Sequence, residues 1–320
     1  MFEIITDTSA NLDCEWLEIH RVKVVPFHYY SAGADQICTD TRRFDGAAFY
    51  DAMRSGTRIT TSQISPQDFE SCFRPLLLAG NDLLFISMSS GISGSFHQAS
   101  FAAEELRKEF PDRKILLVDT LSASLGEGLL VIQAVSEREN GCPLDDVYRR
   151  LLDTRMAMCQ IFAVDDLKYL RATGRLSNAA ALVGSLLGIK PLLKGNEEGK
   201  IVSFSRLRGR KKAIAAMAAE YDRLVRDPDS QLIGIAHADC AEDAEALAAL
   251  LRRNHPPREI LTVMYEPVTG SHVGPGTLAL FFLGDLSFRG EKNMLAQLTE
   301  DKRDQLLAAL HSRMGQKSEE

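Results

Sequence analysis

No Cys-x-x-Cys pair occurs in the chain. Its six cysteines, Cys14, Cys38, Cys72, Cys142, Cys159 and Cys240, lie far apart. That spacing excludes a zinc knuckle and a disulfide framework, and it suits reduced, mostly buried thiols in the cytoplasm. The seven histidines form no metal-ligand spacing either, so no metal is expected. There is no Walker lysine loop and no Gly-x-Gly-x-x-Gly after a strand, which leaves nucleotide binding without support. The opening "MFEIITDTSA" has no basic region and no long apolar run, so neither a signal peptide nor a membrane span is expected. A formal charge of −7 argues against nonspecific binding to nucleic acid, whose backbone would repel it. Repeats and low-complexity segments are absent as well.

What remains is ordinary globular composition, 45% hydrophobic and 25% charged over 320 residues, enough for two domains. In the first half, "FEIIT", "RVKVVPFHYY", "DLLFIS" and "KILLVDT" read as strands between helical stretches. The sharpest helix start is Ser65 as N-cap, Pro66 as first helical residue and Asp68 in the first turn. Strands alternating with helices in this way predict a parallel sheet covered on both faces. The second half reads as a mixed sheet with helices on it, built from "CQIFAV", "IKPLL", "KIVSFSR", "QLIGIAHA", "EILTVMYEP" and "TLALFFLGD". The fold expected is α/β: a three-layer parallel-sheet domain over 1–155 and a two-layer mixed-sheet domain over 156–290. A C-terminal helical extension follows over 291–320. The segment "NAAALVGSLLG" is apolar all round and predicts a buried helix or a cavity wall.

Ligands of open parallel sheets bind beyond the carboxyl ends of the strands. Three polar clusters fall where such ends are expected: Asp7-Thr8-Ser9, Thr60-Thr61-Ser62, and Ser89 to Ser95. The last places Gly91 and Gly94 where the chain enters a helix, a pattern that gives a ligand access to backbone N–H groups and favours an anion. Ordinary capping explains the motif equally well. Ser93 as nucleophile is the lesser reading, because in Gly91-Ile92-Ser93-Gly94 the second glycine comes one place too early for a nucleophile elbow. Its partner would be His272, which "GSHVGPG" predicts in a fixed glycine-rich loop. In "SRLRGRKKA", positive charge collects at a helix start against the helix dipole, which hints at a phosphate or an acidic partner.

Seven separated motifs, in order, resemble those of the DegV family of bacterial fatty-acid-binding proteins: "TDTSANL", "TTSQIS", "SSGISGSF", "LKYLRATGRLS", "GIKPLL", "RGRKKA" and "HVGPG". Ile64 stands where the family pattern has proline, and Thr173 where it has glycine. The resemblance covers about residues 1–285. It implies a long-chain fatty acid held between two α/β domains by a carrier, not an enzyme, with no cofactor. The implied partner is a fatty acid kinase that phosphorylates the presented carboxylate for phospholipid synthesis, and transient membrane contact would allow lipid exchange. The family's carboxylate-holding positions correspond to Thr61, Ser62, Ser93, Gly94 and His272. Arg175 and Arg208 correspond to positions that dock the kinase or face the phosphate. Chemistry agrees: a carboxylate leaving water needs several donors. A palmitate-length tail of ~14 methylenes at ~0.8 kcal/mol each gives on the order of 11 kcal/mol of gross burial. The alternatives are a small Ser93–His272 esterase or acyl-transfer enzyme, and a sensor of acidic ligands using the basic run from Arg206.

Overall fold

A computed structural model describes residues 2–31, 34–38, 44–177 and 189–290. The predicted apolar helix at 178–188 and the C-terminal extension lie outside the described residues. Four strands form a parallel sheet: β1 (Phe2–Asp7), β2 (Val22–Val25), β6 (Asp82–Ser87) and β7 (Ile115–Asp119), in the order β2-β1-β6-β7. A small antiparallel sheet carries β3 (Phe27–Ser31), β4 (Ala34–Cys38) and β5 (Ile59–Ser62), with β3 in the centre. Six strands make a mixed sheet: β8 (Met158–Ala163), β9 (Ile189–Gly195), β10 (Ile201–Arg208), β11 (Leu232–His237), β12 (Glu259–Met264) and β13 (Leu278–Leu283). Their order is β10-β9-β8-β13-β11-β12.

Ten helices, α1 to α10, connect the described strands: Cys14–Ile19, Gly46–Arg54, Pro66–Leu78, Ser95–Glu109, Leu125–Glu139, Leu144–Ala157, Lys168–Ala172, Arg210–Leu224, Ala241–Asn254 and Pro267–Val273. Helices α3 and α4 cover one face of the parallel sheet, where Phe69, Phe73, Phe85 and Leu106 are fully buried. Helix α5 packs against β1 and β6 and also against β8, β11 and β13, so it is shared between the parallel and mixed sheets. Such an approach needs small residues: a Cβ on Gly128 would lie 2.4 Å from the Ala10 carbonyl oxygen. Helices α8 and α9 close the far face of the mixed sheet over Ile214, Met217, Leu247 and Leu251.

Three sequence expectations change here. "RVKVVPFHYY" is not one strand region of one sheet. Pro26, which has no N–H to give a ladder, separates β2 in the parallel sheet from β3 in the antiparallel one. Thr61 and Ser62 likewise do not sit at a parallel strand's carboxyl end; they lie on β5, paired with Tyr29 and His28 of β3. His272 is not in a loop either, but near the end of α10. Glu266 caps that helix, accepting from Val268 N at 2.5 Å and Thr269 N at 2.7 Å, and Pro267 occupies its first turn.

Candidate functional site

The strand order reverses direction between β1 and β6, so their carboxyl ends are where a crevice is expected. The β6 end runs into the serine loop. Asp7, at the end of β1, accepts from Met88 N at 3.2 Å and Ser87 Oγ at 3.4 Å and so pins the start of that loop. Most loop amides are engaged internally: Ser90 N donates to Asp119, Gly91 N to Ser89 Oγ, and Ile92 N and Ser93 N to the Ser89 carbonyl. The expected cradle of free N–H groups therefore shrinks, among the described loop amides, to that of Gly94. Side chains supply the other donors.

Motifs far apart in sequence converge on this loop. Ser93 Oγ donates to Ser95 Oγ at 3.1 Å, and Ser95 Oγ accepts from Ile64 N, tying "SSGISGSF" to "TTSQIS". A Cβ on Gly94 would fall 2.0 Å from Gln63 Oε1, so the glycine permits the approach. Thr61 Oγ1 lies 2.8 Å from His272 Nε2. Arg175 Nε donates to the Ile92 carbonyl at 3.3 Å. Gly274, at φ +84°, ends α10, and a Cβ there would strike the Tyr169 ring at 2.2 Å.

Together these residues wall a cavity with about 180 Å³ of room for the centres of water-sized spheres, more than ten times what one water needs. Thr61, Ser62, Ser93, Gly94, Arg175 and His272 all line it. The wall is otherwise largely apolar, with Phe27, Phe162, Leu170, Ile201, Val273 and Phe281. An open groove shares Thr61, Arg175 and His272 and adds Arg58 and Lys168, so the polar wall borders both spaces. Arg208 lines neither; it is exposed on β10. The basic run near it is partly offset, because Arg210 pairs with Asp243 at 2.8 Å.

Burial, helped by the neighbouring Arg175 charge, pushes the His272 imidazole down to about 4, so the ring is neutral at pH 7. Its Nδ1 is buried with no hydrogen-bond partner. No hydrogen bond joins Ser93 to His272 among the described residues; the imidazole pairs with Thr61 instead. Among the same residues, no cluster of His, Cys, Asp and Glu could hold a metal ion. No described helix is long and apolar enough to cross a membrane.

Sequence reasoning placed Asp7 and Ser9 in a polar cluster but missed its buried partners, Glu127 and Thr6. Ser9 Oγ lies 2.5 Å from Asp7 Oδ1 and 2.6 Å from Glu127 Oε2, and Thr6 Oγ1 donates to Glu127 Oε1 at 2.8 Å. One hydroxyl has one proton, so the second short contact needs a proton on a carboxyl. Asp7 also receives the Ser9 and Met88 amides, which makes Glu127 the protonated partner. Burial raises both carboxyls, Glu127 well above its ordinary range, and raises Glu266 to about 7. The available signal was a lone acid inside an apolar stretch, "LGEGLLVI".

Known proteins share this architecture. The model of the DegV family, described as uncharacterised protein, matches residues 1–285. A DegV domain-containing protein of Clostridium perfringens is 36% identical over 284 residues, covering 89% of this chain and 98% of its own length. A Thermus thermophilus DegV family structure described as fatty acid binding superposes with a TM-score of 0.81 at 29% identity, covering 89% of this chain and 99% of that one. A fatty acid binding DegV family protein of Streptococcus agalactiae gives 0.78 at 29% identity, with the same coverages. The chain belongs to the DegV family.

Proposed function

We propose that the chain is a carrier that binds one long-chain fatty acid and presents its carboxylate to a fatty acid kinase in the cytoplasm. The observation that carries the reading is a single cavity with one hydroxyl- and imidazole-rich wall and a largely apolar remainder. Thr61, Ser62, Ser93 and His272 are the carboxylate's donors, and Gly94 contributes its amide. The tail lies between the 1–155 and 156–290 domains, an assignment supported by cavity residues from both segments, Phe27 and Ser93 from one and Phe162 and Phe281 from the other. Neutral donors suit the task. A buried carboxylate is stabilised by several hydrogen bonds, and Arg175 adds positive charge nearby. The open groove with Arg58 and Lys168 gives the head end a basic, solvent-facing approach, which favours phosphorylation by a partner over chemistry inside the cavity. Arg175 and Arg208 serve that partner or its phosphate. No cofactor is required for this work.

The esterase alternative needs Ser93 and His272 to act together, and His272 is hydrogen-bonded to Thr61. Titration of lipid-free protein with palmitate, methyl palmitate and hexanoate tests the reading. Palmitate is expected to bind at least about tenfold more tightly than its methyl ester, the value of a charged hydrogen bond or two. Hexanoate should scarcely bind. Equal binding of hexanoate and palmitate would favour a polar sensor. Turnover of a generic ester, lost in both Ser93→Ala and His272→Ala, would favour the enzyme.

A further inference from the structure

The cavity has a second set of hydroxyls that the carboxylate wall does not account for. Ser122 and Ser124, on the loop between β7 and α5, line it, and each is only 1% exposed. Ser124 stands at the N-cap of α5 but makes no side-chain cap; its backbone adopts φ 52° and ψ −137°. Its Oγ accepts instead from Asn11 Nδ2 at 3.2 Å. Ser122 Oγ accepts from an Arg289 guanidinium nitrogen at 2.9 Å. Neither hydroxyl donates to another described residue, so each keeps an O–H to give. Thr269 adds a third. Its hydroxyl is buried against the Glu266 carboxyl, whose pKa it lowers, and makes no other hydrogen bond among the described residues.

Arg289 gives this wall its character. It is 1% exposed, and its guanidinium donates to the carbonyls of Met158, Leu121 and Asn196 and to Ser122 Oγ, all neutral acceptors. A buried cation behind the Ser122 oxygen draws electron density from it and strengthens its O–H as a donor. Glu266, beside Thr269, opposes a second anion here. A neutral hydroxyl suits both neighbours, because it accepts from the serines and donates onward.

We propose that Ser122, Ser124 and Thr269 form a subsite for an oxygen carried on the acyl chain, so that the cavity takes long-chain acids bearing a hydroxyl away from the carboxylate. This rests on the fatty-acid reading above: the carboxylate goes to Thr61, Ser93 and His272, and the subsite reads the chain. A purely saturated tail would leave the buried Ser122 and Ser124 hydroxyls without an acceptor among the described residues.

The test titrates lipid-free protein with stearate and with hydroxystearates whose hydroxyl is stepped along the chain, each displacing a fluorescent fatty acid. In a cavity without a partner group, a hydroxyl weakens binding by about tenfold or more. Here at least one hydroxystearate is expected to match or exceed stearate. Ser122→Ala should then lower the affinity ratio of that hydroxystearate to stearate by about tenfold. Ser124→Ala and Thr269→Val give the same readout without touching the Arg289 contact, should Ser122→Ala fail to fold. Stearate preferred tenfold over every hydroxystearate overturns the inference, as does a ratio that no folded variant moves. If stearate and all hydroxystearates fail to bind, the fatty-acid reading falls, and this inference with it.

Discussion

The wall of Thr61, Ser93 and His272 and the network of Thr6, Ser9, Asp7 and Glu127 are both buried and both rich in hydroxyls, yet they use them in opposite ways. In the network the acceptors are the protein's own carboxylates, and Ser9 is spent between Asp7 and Glu127. No acidic side chain lines the cavity, and the hydroxyls of Thr61 and Ser93 meet neutral groups, in the Thr61–His272 and Ser93–Ser95 pairs. Burial then acts with opposite sign. It drives the His272 imidazole neutral by lowering its pKa, and it drives Glu127 neutral by raising its pKa. Similar residue types thus make a closed structural tie in one place and, on the function proposed above, a receptor for an outside anion in the other. What decides is whether an acid of the chain itself faces the hydroxyls.

The largest expected effect breaks the closed side. Glu127→Ala leaves Thr6 without its buried acceptor and Ser9 without the carboxyl that donates to it, and opens a void; it should cost about 2–5 kcal/mol of stability in denaturant unfolding. Glu127→Gln keeps the shape and the neutral state, so it should cost less than about 1 kcal/mol. Next comes pH. Because the His272 pKa falls from 6.5 unfolded to about 4 folded, the unfolded chain binds the extra proton between those values. Its contribution is complete above pH 6.5 and lost on acidification towards 4, on the order of 3 kcal/mol in all. Glu266 has the reverse sign: raised from 4.5 to about 7, it contributes fully below 4.5 and loses that contribution as the pH rises to 7. Melting temperatures across this range should therefore slope down with rising pH in His272→Gln and up in Glu266→Gln, relative to the wild type.

Smaller effects separate holding a ligand from handing it on. Ser93→Ala should weaken palmitate binding by about tenfold to a hundredfold, the worth of one hydrogen bond to a charge, with the melting temperature of the lipid-free protein nearly unchanged. A melting temperature that falls with the affinity would make Ser93 a structural cap. Arg208→Ala, exposed and outside the cavity, should shift palmitate affinity by less than about twofold and show its effect only in phosphorylation by a kinase.

Most of the strands and helices were legible because period and punctuation agree, as at Ser65-Pro66, where the N-cap forms as read and Asp68 completes a capping box. The polar residues that line the cavity were legible as motifs, but their supports were not. Nothing local announces that His272 reaches Thr61 across 211 residues, or that Ser9 meets Glu127 across 118. The helix carrying His272 was announced, by the dipeptide Glu266-Pro267, and was overlooked because the preceding apolar run absorbed it into a strand. Pro26 had likewise marked the break between two sheets. The missed acid network shows why a lone charge in an apolar run repays attention: it must find partners in the fold, wherever they lie.

The most direct measurement is native mass spectrometry of the purified protein, followed by extraction and identification of any bound molecule. The account predicts one long-chain fatty acid per chain, retained in wild type and depleted in His272→Ala. A mass equal to the bare chain that stays unchanged on adding palmitate or oleate would contradict it.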